Sequence, residues 1–475
     1  MAVALGLLIV QPAPPTADIA VTNATVVDVE HGRRVVGQTV LISDGRIVRV
    51  GSGREVTVPR GATVVDAKGG WLIPGLWDMH THLVLYGELG MRLMIAHGIT
   101  GARDLGGHLN QLGDWRRRIE AGTLVGPRIK ATGPILDGLR LPGAIGGFRI
   151  HVGTREEGHR VVDSLADLGV DLIKVHNYLS RDAYLGIAEA ARRRGLPFVG
   201  HNAPPVTLDE LAREGQRSLE HHFGLAYLGA PDGEAIRRAL ADSLDALRRT
   251  DQPARLSIRL NYDADRAATD GYRPGAAIDR FRVLAEHGVY SPPTLATLRV
   301  LARGNEPAIR DDSRNRFIPK SVLADLDPAG DPNGNATEAD LARGRARFAK
   351  WLAMFGDLRK VGVRFLAGTD MGVRSVFPGG SLHDELALLT EAGLSNLEAL
   401  QAATLNAAES MGILDQAGTI AAGKVADLVL LDADPLTDIR ATAKVRAVIA
   451  GGRLYVRGAL DALLEDAERA ARESR

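Results

Sequence analysis

The sequence predicts an α/β protein: a (β/α)8 TIM barrel joined to a small β-sandwich that both ends of the chain build. Three observations carry that expectation. In the middle of the chain, short apolar strands alternate with longer helical stretches, as in "DLIKVH", "SRDAYLGIAEAARRRG", "LPFVGH" and "TLDELAREG". Such alternation implies βαβ units and a parallel sheet. Strand–turn–strand patterns fill the segments before and after it. The length, 475 residues, exceeds one ordinary domain but suits a barrel with an appended module.

Residues 1–17 open with an apolar run to Val10, followed by a Pro/Ala-rich stretch. The run is too short to span a bilayer. It resembles the core of a signal or leader segment but lacks a basic start, so periplasmic or secreted and cytoplasmic readings both stand. Residues 18–73 read as short strands forming the first part of the sandwich, with Asp44-Gly45 as a hairpin turn. Residues 74–417 hold enough βα units for eight strands. Between about 225 and 360 the rhythm breaks into helical stretches and the polar loop "LDPAGDPNGNATEAD". We read this as barrel helices plus an inserted lid. Residues near 325–340 are too poor in apolar side chains to pack and are expected to be mobile. Residues 418–475 supply the second part of the sandwich, with a turn at Gly451-Gly452, and end in a charged amphipathic helix.

Composition narrows the function. At 45% hydrophobic and 24% charged, the chain can bury a large core. Lys+Arg and Asp+Glu balance at 58 each, so no net field favours nucleic acid or an anionic membrane. A small-molecule substrate is the expected partner, and a homo-oligomer stays open. The absence of cysteine excludes disulfides, thiolate metal sites and cysteine nucleophiles. Any metal must be held by nitrogen and oxygen.

The stretch "PGLWDMHTHL" sets His80 and His82 two residues apart. On a strand they face the same side and can offer two nitrogens to one ion. Further candidates stand at the ends of later strands: Lys174, His201, His221 and Asp370. The first three follow one another at about one βα unit each, and the insertion belongs in the long gap before Asp370. In a parallel barrel, catalytic groups gather at these carboxyl ends.

With "GLWDMHTHL", "VDLIKV", "LPFVGHN", "SLEH" and "FLAGTDMG" in place, the sequence resembles the amidohydrolase superfamily, in its imidazolonepropionase-like and prolidase-like branch. "SLHDELALLTEAGLSNLEALQAATLNAAESMGI" and "GTIAAGKVADLVLLDADPLTDI" extend the likeness over nearly the whole chain. The resemblance implies two divalent metal ions, for which zinc suits nitrogen-rich ligands. His80, His82 and Asp370 would hold the more buried ion, and His201 and His221 the more exposed one. Lys174 would bridge both as a carbamate, since a charged ammonium has no lone pair. The implied reaction is hydrolysis of a small amide, a dipeptide or N-acyl amino acid, by metal-activated hydroxide. Asp370 would take the water's proton and pass it to the amine. A cyclic amide, lactone or phosphotriester is the alternative substrate. A non-catalytic scaffold is a remote one, against which the intact ligand set argues.

Weaker candidates surround this set. His176 shares the strand face of Lys174, and Tyr178 does so if the strand continues. His383 opens the helix after Asp370's loop, where a helix N-terminus can bind an anionic group. Arg140 and Arg374 are loop arginines suited to a substrate carboxylate. Arg103 and Asp104 are expected to make structural contacts at a strand end.

Overall fold

The computed structural model describes residues 17–140, 148–221, 223–248, 254–319, 322, 337–373 and 375–473. The leader segment and most of the 325–340 loop lie outside them. It is a mixed α/β fold. One eight-stranded sheet draws on both ends of the chain. Its strand order is Arg453–Val456, Val445–Ala450, Leu428–Leu431, Trp71–Pro74, Ile19–Asp28, Arg33–Ser43 and Arg46–Ser52, with Thr63–Asp66 paired to Ile19–Asp28. The join between the two ends is antiparallel, Leu428 opposite Pro74 and Leu431 opposite Trp71. Both expected hairpin turns form. Asp44 and Gly45 take φ of 49° and 72°, Gly451 and Gly452 take 54° and 79°, the left-handed pair that matches strand twist in a two-residue turn. Val21, Ile42, Leu428 and Ile449 pack one apolar cluster of this sheet.

The remaining strands run parallel. Leu76–Thr81, Ile99–Asp104 and Arg128–Ala131 are neighbours in that order, and Arg149–His151, Ile135–Asp137, Ile173–Val175 and Phe198–Gly200 form a second group. Single parallel bridges continue the path: Gly200 to Leu219, Ser218 to Tyr290, Ser291 to Phe365, and Thr81 to Met371. The Asp171 amide donates to the Ala131 carbonyl at 3.0 Å. Leu76–Thr81 and Ile99–Asp104 are buried at every position, so their histidine, arginine and aspartate side chains must find partners inside.

Helices between the strands are set by their ends. Thr154, Ser180 and Thr207 accept hydrogen bonds from the amides of Glu157, Ala183 and Glu210, capping helices Arg155–Asp167, Arg181–Arg194 and Leu208–Arg213. The irregular region contains a helical pair, Gly233–Arg248 and Ala254–Gly271. It then returns to the parallel path at Tyr290 and Ser291, and helix Glu338–Lys360 closes it behind a capping box of Thr337 and Asp340. No described helix is long and apolar enough to cross a membrane.

Candidate active site

Five of the expected residues meet at the carboxyl ends of the parallel strands. His80, 1% exposed, directs Nε2 to Asp370 Oδ1 at 3.4 Å, and His82 Nε2 lies 3.2 Å from the same oxygen. Their ligand atoms and that of Asp370 fall within 4.8 Å of one another, a spacing that could hold one metal ion. The His221 Nε2 is 3.9 Å from Asp370 Oδ2, and its ring lies 4.6 Å from that of His80 and 4.8 Å from that of His201. His221 and Asp370 both sit in the left-handed region, φ 62° and 57°. Such backbone costs energy for a branched or charged residue and tends to collect at functional sites.

Three of these histidines meet a partner through the other nitrogen. His80 Nδ1 lies 2.8 Å from Glu220 Oε2, somewhat off the ideal hydrogen-bond line. Glu220 in turn accepts from Arg103 Nη2 at 2.9 and 3.0 Å and from the Ser218 hydroxyl. His201 Nδ1 meets Asn177 Oδ1 at 2.8 Å, and His221 Nδ1 meets Thr294 Oγ1 at 2.6 Å. Burial first, then the Lys174 charge, pulls His80 down to about 4, so its ring is neutral at pH 7. For Asp370, burial opposes ionisation, but the neighbouring His221, His80 and His82 overturn it and hold the carboxylate well below its usual range.

Lys174 is buried, and its Nζ has no hydrogen-bond partner among the described residues. Burial lowers it to about 8, against the pull of Glu220 and Asp370. His176 stands beside it on the same face, its Nδ1 3.0 Å from Asp137 Oδ2 and its ring 4.4 Å from that of His201. Arg149 Nη1 reaches the same Asp137 oxygen at 2.7 Å. Tyr178 follows, its ring 5.5 Å from His176. A cavity of about 300 Å³ opens over the whole set, and Lys174, His176, Tyr178 and Arg149 line it with the four other histidines and Asp370.

Two weaker expectations do not reach this cavity, and a third falls on a residue that is not described. His383 is buried in helix Gly380–Glu391, where Nδ1 meets Thr442 Oγ1 and Nε2 meets the His97 carbonyl, each at 3.0 Å. It is a helix-packing residue, and both of its nitrogens are spent. Arg140 is exposed and absent from the cavity lining. Arg374 lies outside the described residues. Among the described residues, Arg149 is the arginine that lines the cavity. As expected, Arg103 and Asp104 make internal contacts, Arg103 with Glu220 and Asp104 by accepting from the Leu83 amide at 2.7 Å. Glu220 was missed: it faces inward with Ser218, two residues before it, and the positive φ of His221 accompanies the break in alternation that lets the next residue reach the site as well.

Such a cavity, walled by histidines, a buried lysine and an aspartate at parallel strand ends, is the arrangement of a hydrolase acting on carbon–nitrogen bonds. The sequence pattern of the amidohydrolase family matches residues 71–455, and the chain belongs to that family, on its imidazolonepropionase-like and prolidase-like side. It is 26% identical over 428 residues to an imidazolonepropionase of Mesorhizobium japonicum (strain LMG 29417 / CECT 9101 / MAFF 303099), covering 86% of this chain and 90% of that one. A local match to an adenine deaminase of the same organism, 35% identical over 91 residues, spans 14% of that protein. Among solved structures it is similar to a bottromycin amidohydrolase, with a TM-score of 0.72 and 26% identity over 95% of this chain and 90% of that one. A Xaa-Pro dipeptidase with methionine bound in its active site superimposes with a TM-score of 0.63 at 18% identity, over 92% and 99% of the two chains, which speaks for the fold alone.

Proposed function

We propose that the chain is a binuclear metal-dependent amidohydrolase that cleaves a small amide, a dipeptide or N-acyl amino acid. On this reading the parallel strands close into one (β/α)8 barrel spanning residues 74–417, and the eight-stranded sheet is the core of a sandwich built by 18–73 and 418–475. The single observation that carries the binuclear reading is Lys174: a buried amine with no hydrogen-bond partner among the described residues, in a wall of histidines. A buried ammonium without a partner is costly, whereas the uncharged amine can attack carbon dioxide. An N–C bond forms, one proton leaves, and the resulting carbamate has two oxygens for two cations. His80, His82 and Asp370 would hold one ion, His201 and His221 the other, and nitrogen-rich ligands suit zinc.

Bound divalent metal would polarise the amide carbonyl and lower the pKa of water. The chain's own residues do the rest. Asp370 accepts the proton of the attacking water on a carboxylate oxygen and delivers it to the departing nitrogen. Water adds across the C–N bond, leaving a carboxylic acid and an amine. Arg149, held by Asp137, presents a guanidinium to a substrate carboxylate. His176, with Nδ1 turned to Asp137, offers Nε2 as a polar contact, and Tyr178 adds its hydroxyl. A cyclic amide is the second reading, supported by the imidazolonepropionase relatives.

The test is elemental analysis of metal-replete protein together with turnover of a dipeptide and N-acyl amino acid library. Close to two divalent ions per chain and hydrolysis of at least one library class are expected. A single ion at saturation defeats the binuclear assignment, and no turnover of any linear amide moves the substrate to the cyclic class.

A further inference from the structure

The cavity is not polar all round: Ile135 and Phe148 line it near Arg149, and Leu298, Leu301 and Val373 line it on another side. Followed along the parallel path, Arg149 and Tyr178 leave the strands at Arg149–His151 and Ile173–Val175. Leu298 and Leu301 come from helix Leu295–Arg303, just after the Tyr290–Ser291 bridge, and Val373 follows Asp370. These two groups stand on opposite arcs of the path, with the metal-ligating candidates between them. Over the mouth lies helix Ala254–Gly271, which turns Ile258, Asn261 and Tyr262 into the cavity at i, i+3 and i+4 spacing. Its partner helix Gly233–Arg248 is tied across to the other arc, where Arg248 donates to the carbonyls of Tyr178 and Leu179 at 3.1 Å each. The helical pair therefore bridges the mouth from the apolar arc to the polar one.

Resting on the hydrolase reading above, we propose that this inserted helical pair sets substrate choice. The substrate lies across the cavity with its carboxylate at Arg149 and the scissile amide over the histidines. A bulky apolar acyl arm, aliphatic or aromatic, then sits beneath Ile258 against Leu298 and Leu301. Three features select that orientation. Among the described lining residues the guanidinium lies on one arc only, and the other arc carries Leu298, Leu301 and Val373 without a cation. Leu301, 44% exposed, is a large apolar side chain at the cavity mouth that a bound arm would cover. The lining on the apolar arc offers an arm dispersion and desolvation, with Thr297 and Asn261 its polar exceptions. A short or charged acyl group would leave that surface wet.

The experiment uses the full-length, metal-loaded enzyme and N-acyl-L-amino acids carrying acetyl, butanoyl, hexanoyl or benzoyl arms. Each buried methylene is worth about a factor of four, so kcat/KM should rise by about 250-fold over the four methylenes from acetyl to hexanoyl. Ile258→Asn and Leu301→Asn should flatten that series, drawing the hexanoyl-to-acetyl ratio of kcat/KM toward one, with bound metal and melting temperature reporting that each variant folds. Arg149→Gln should raise KM for every arm alike. It should lose that effect on substrates whose carboxylate is replaced by an amide. Turnover with no dependence on the arm, or a slope unchanged in both asparagine variants, overturns the inference. Failure to hydrolyse any member of the series falls instead on the hydrolase reading beneath it.

Discussion

The two histidine pairs of the site look alike in sequence and are held differently. The buried His80 has a carboxylate behind it, Glu220, itself locked by Arg103. His201 and His221 have only an amide oxygen and a hydroxyl, from Asn177 and Thr294, and both rings stand within 5.5 Å of the Phe223 ring. A charged partner makes an imidazole a more basic ligand and fixes its tautomer; a neutral partner fixes orientation with less gain. On the proposed assignment, one half of the centre is built to retain its ion and the other to face substrate. The lesson is that ligand identity alone does not rank metal sites. What stands behind each ligand does.

The hardest test of that contrast removes a ligand from each half. His80→Ala should lose both ions and reduce turnover to background, whereas His201→Ala should keep about one ion per chain at background turnover, read by elemental analysis. Asp370→Asn keeps the shape and one weak oxygen but removes the basicity. Turnover should fall by about 10²–10⁴-fold with much of the metal retained. Equal metal loss in both histidine variants would erase the asymmetry.

A milder substitution sharpens it. Glu220→Gln should weaken binding of the tighter ion by about 10–100-fold, measured by competition with a chelator. Asn177→Ala and Thr294→Val should each cost less than about tenfold at the other ion. If the three variants weaken binding equally, the charge on Glu220 is not what distinguishes the halves.

Most of this centre was legible because strand ends are rigid and their spacing is regular. His80 and His82 share a face by simple alternation, as do Lys174 and His176, and both pairs line the cavity as the pattern required. The supporting groups were not legible. Glu220 and His221 both reach the site although they are adjacent, and the positive φ of His221 that goes with this has no sequence signature. Asn177 and Thr294 are ordinary loop residues in sequence, and Arg149 could not be told from Arg140 without the chain path that sets one in the cavity lining and exposes the other. His383 failed for the same reason: its helix position is as expected, but its ring points into the packing against Thr442. In the sheet built from both ends, the turn residues Asp44-Gly45 and Gly451-Gly452 carried the register on their own chemistry.

Two buried glutamates extend the comparison to pH. Burial opposes ionisation of Glu220, but Arg103, His80 and Lys174 outweigh it and hold the group far below its usual range. Glu385 is equally buried and accepts from the Ala296 amide at 2.7 Å, and the Arg299 charge acts on it too weakly to offset the burial. Burial pushes it up to about 8. Its folded value lies above the unfolded value near 4.5, so its contribution to stability is fully present below about pH 4.5 and is lost as pH rises toward 8. Glu385→Gln removes that loss. Between pH 5 and pH 8 the melting temperature of the variant should gain on that of wild type by at least about 2 °C. A gap that is constant with pH would mean Glu385 is ionised when folded.

The smallest effect expected on turnover comes from the histidine that sequence reasoning placed at the substrate. His383 and His176 are both buried imidazoles pulled well down from their usual value, chiefly by burial. Only His176 lines the cavity. His383 joins helix Gly380–Glu391 to Thr442 and to the His97 carbonyl at 3.0 Å each. His383→Ala should therefore destabilise the fold by about 1–3 kcal/mol while leaving KM and kcat within about twofold at a temperature where the variant is folded. His176→Ala should do the reverse, raising KM with less change in the urea midpoint. Two unfolding curves and two saturation curves decide the matter. A KM shift in the His383 variant at unchanged stability would return that residue to the substrate and show that the helix start communicates with the cavity.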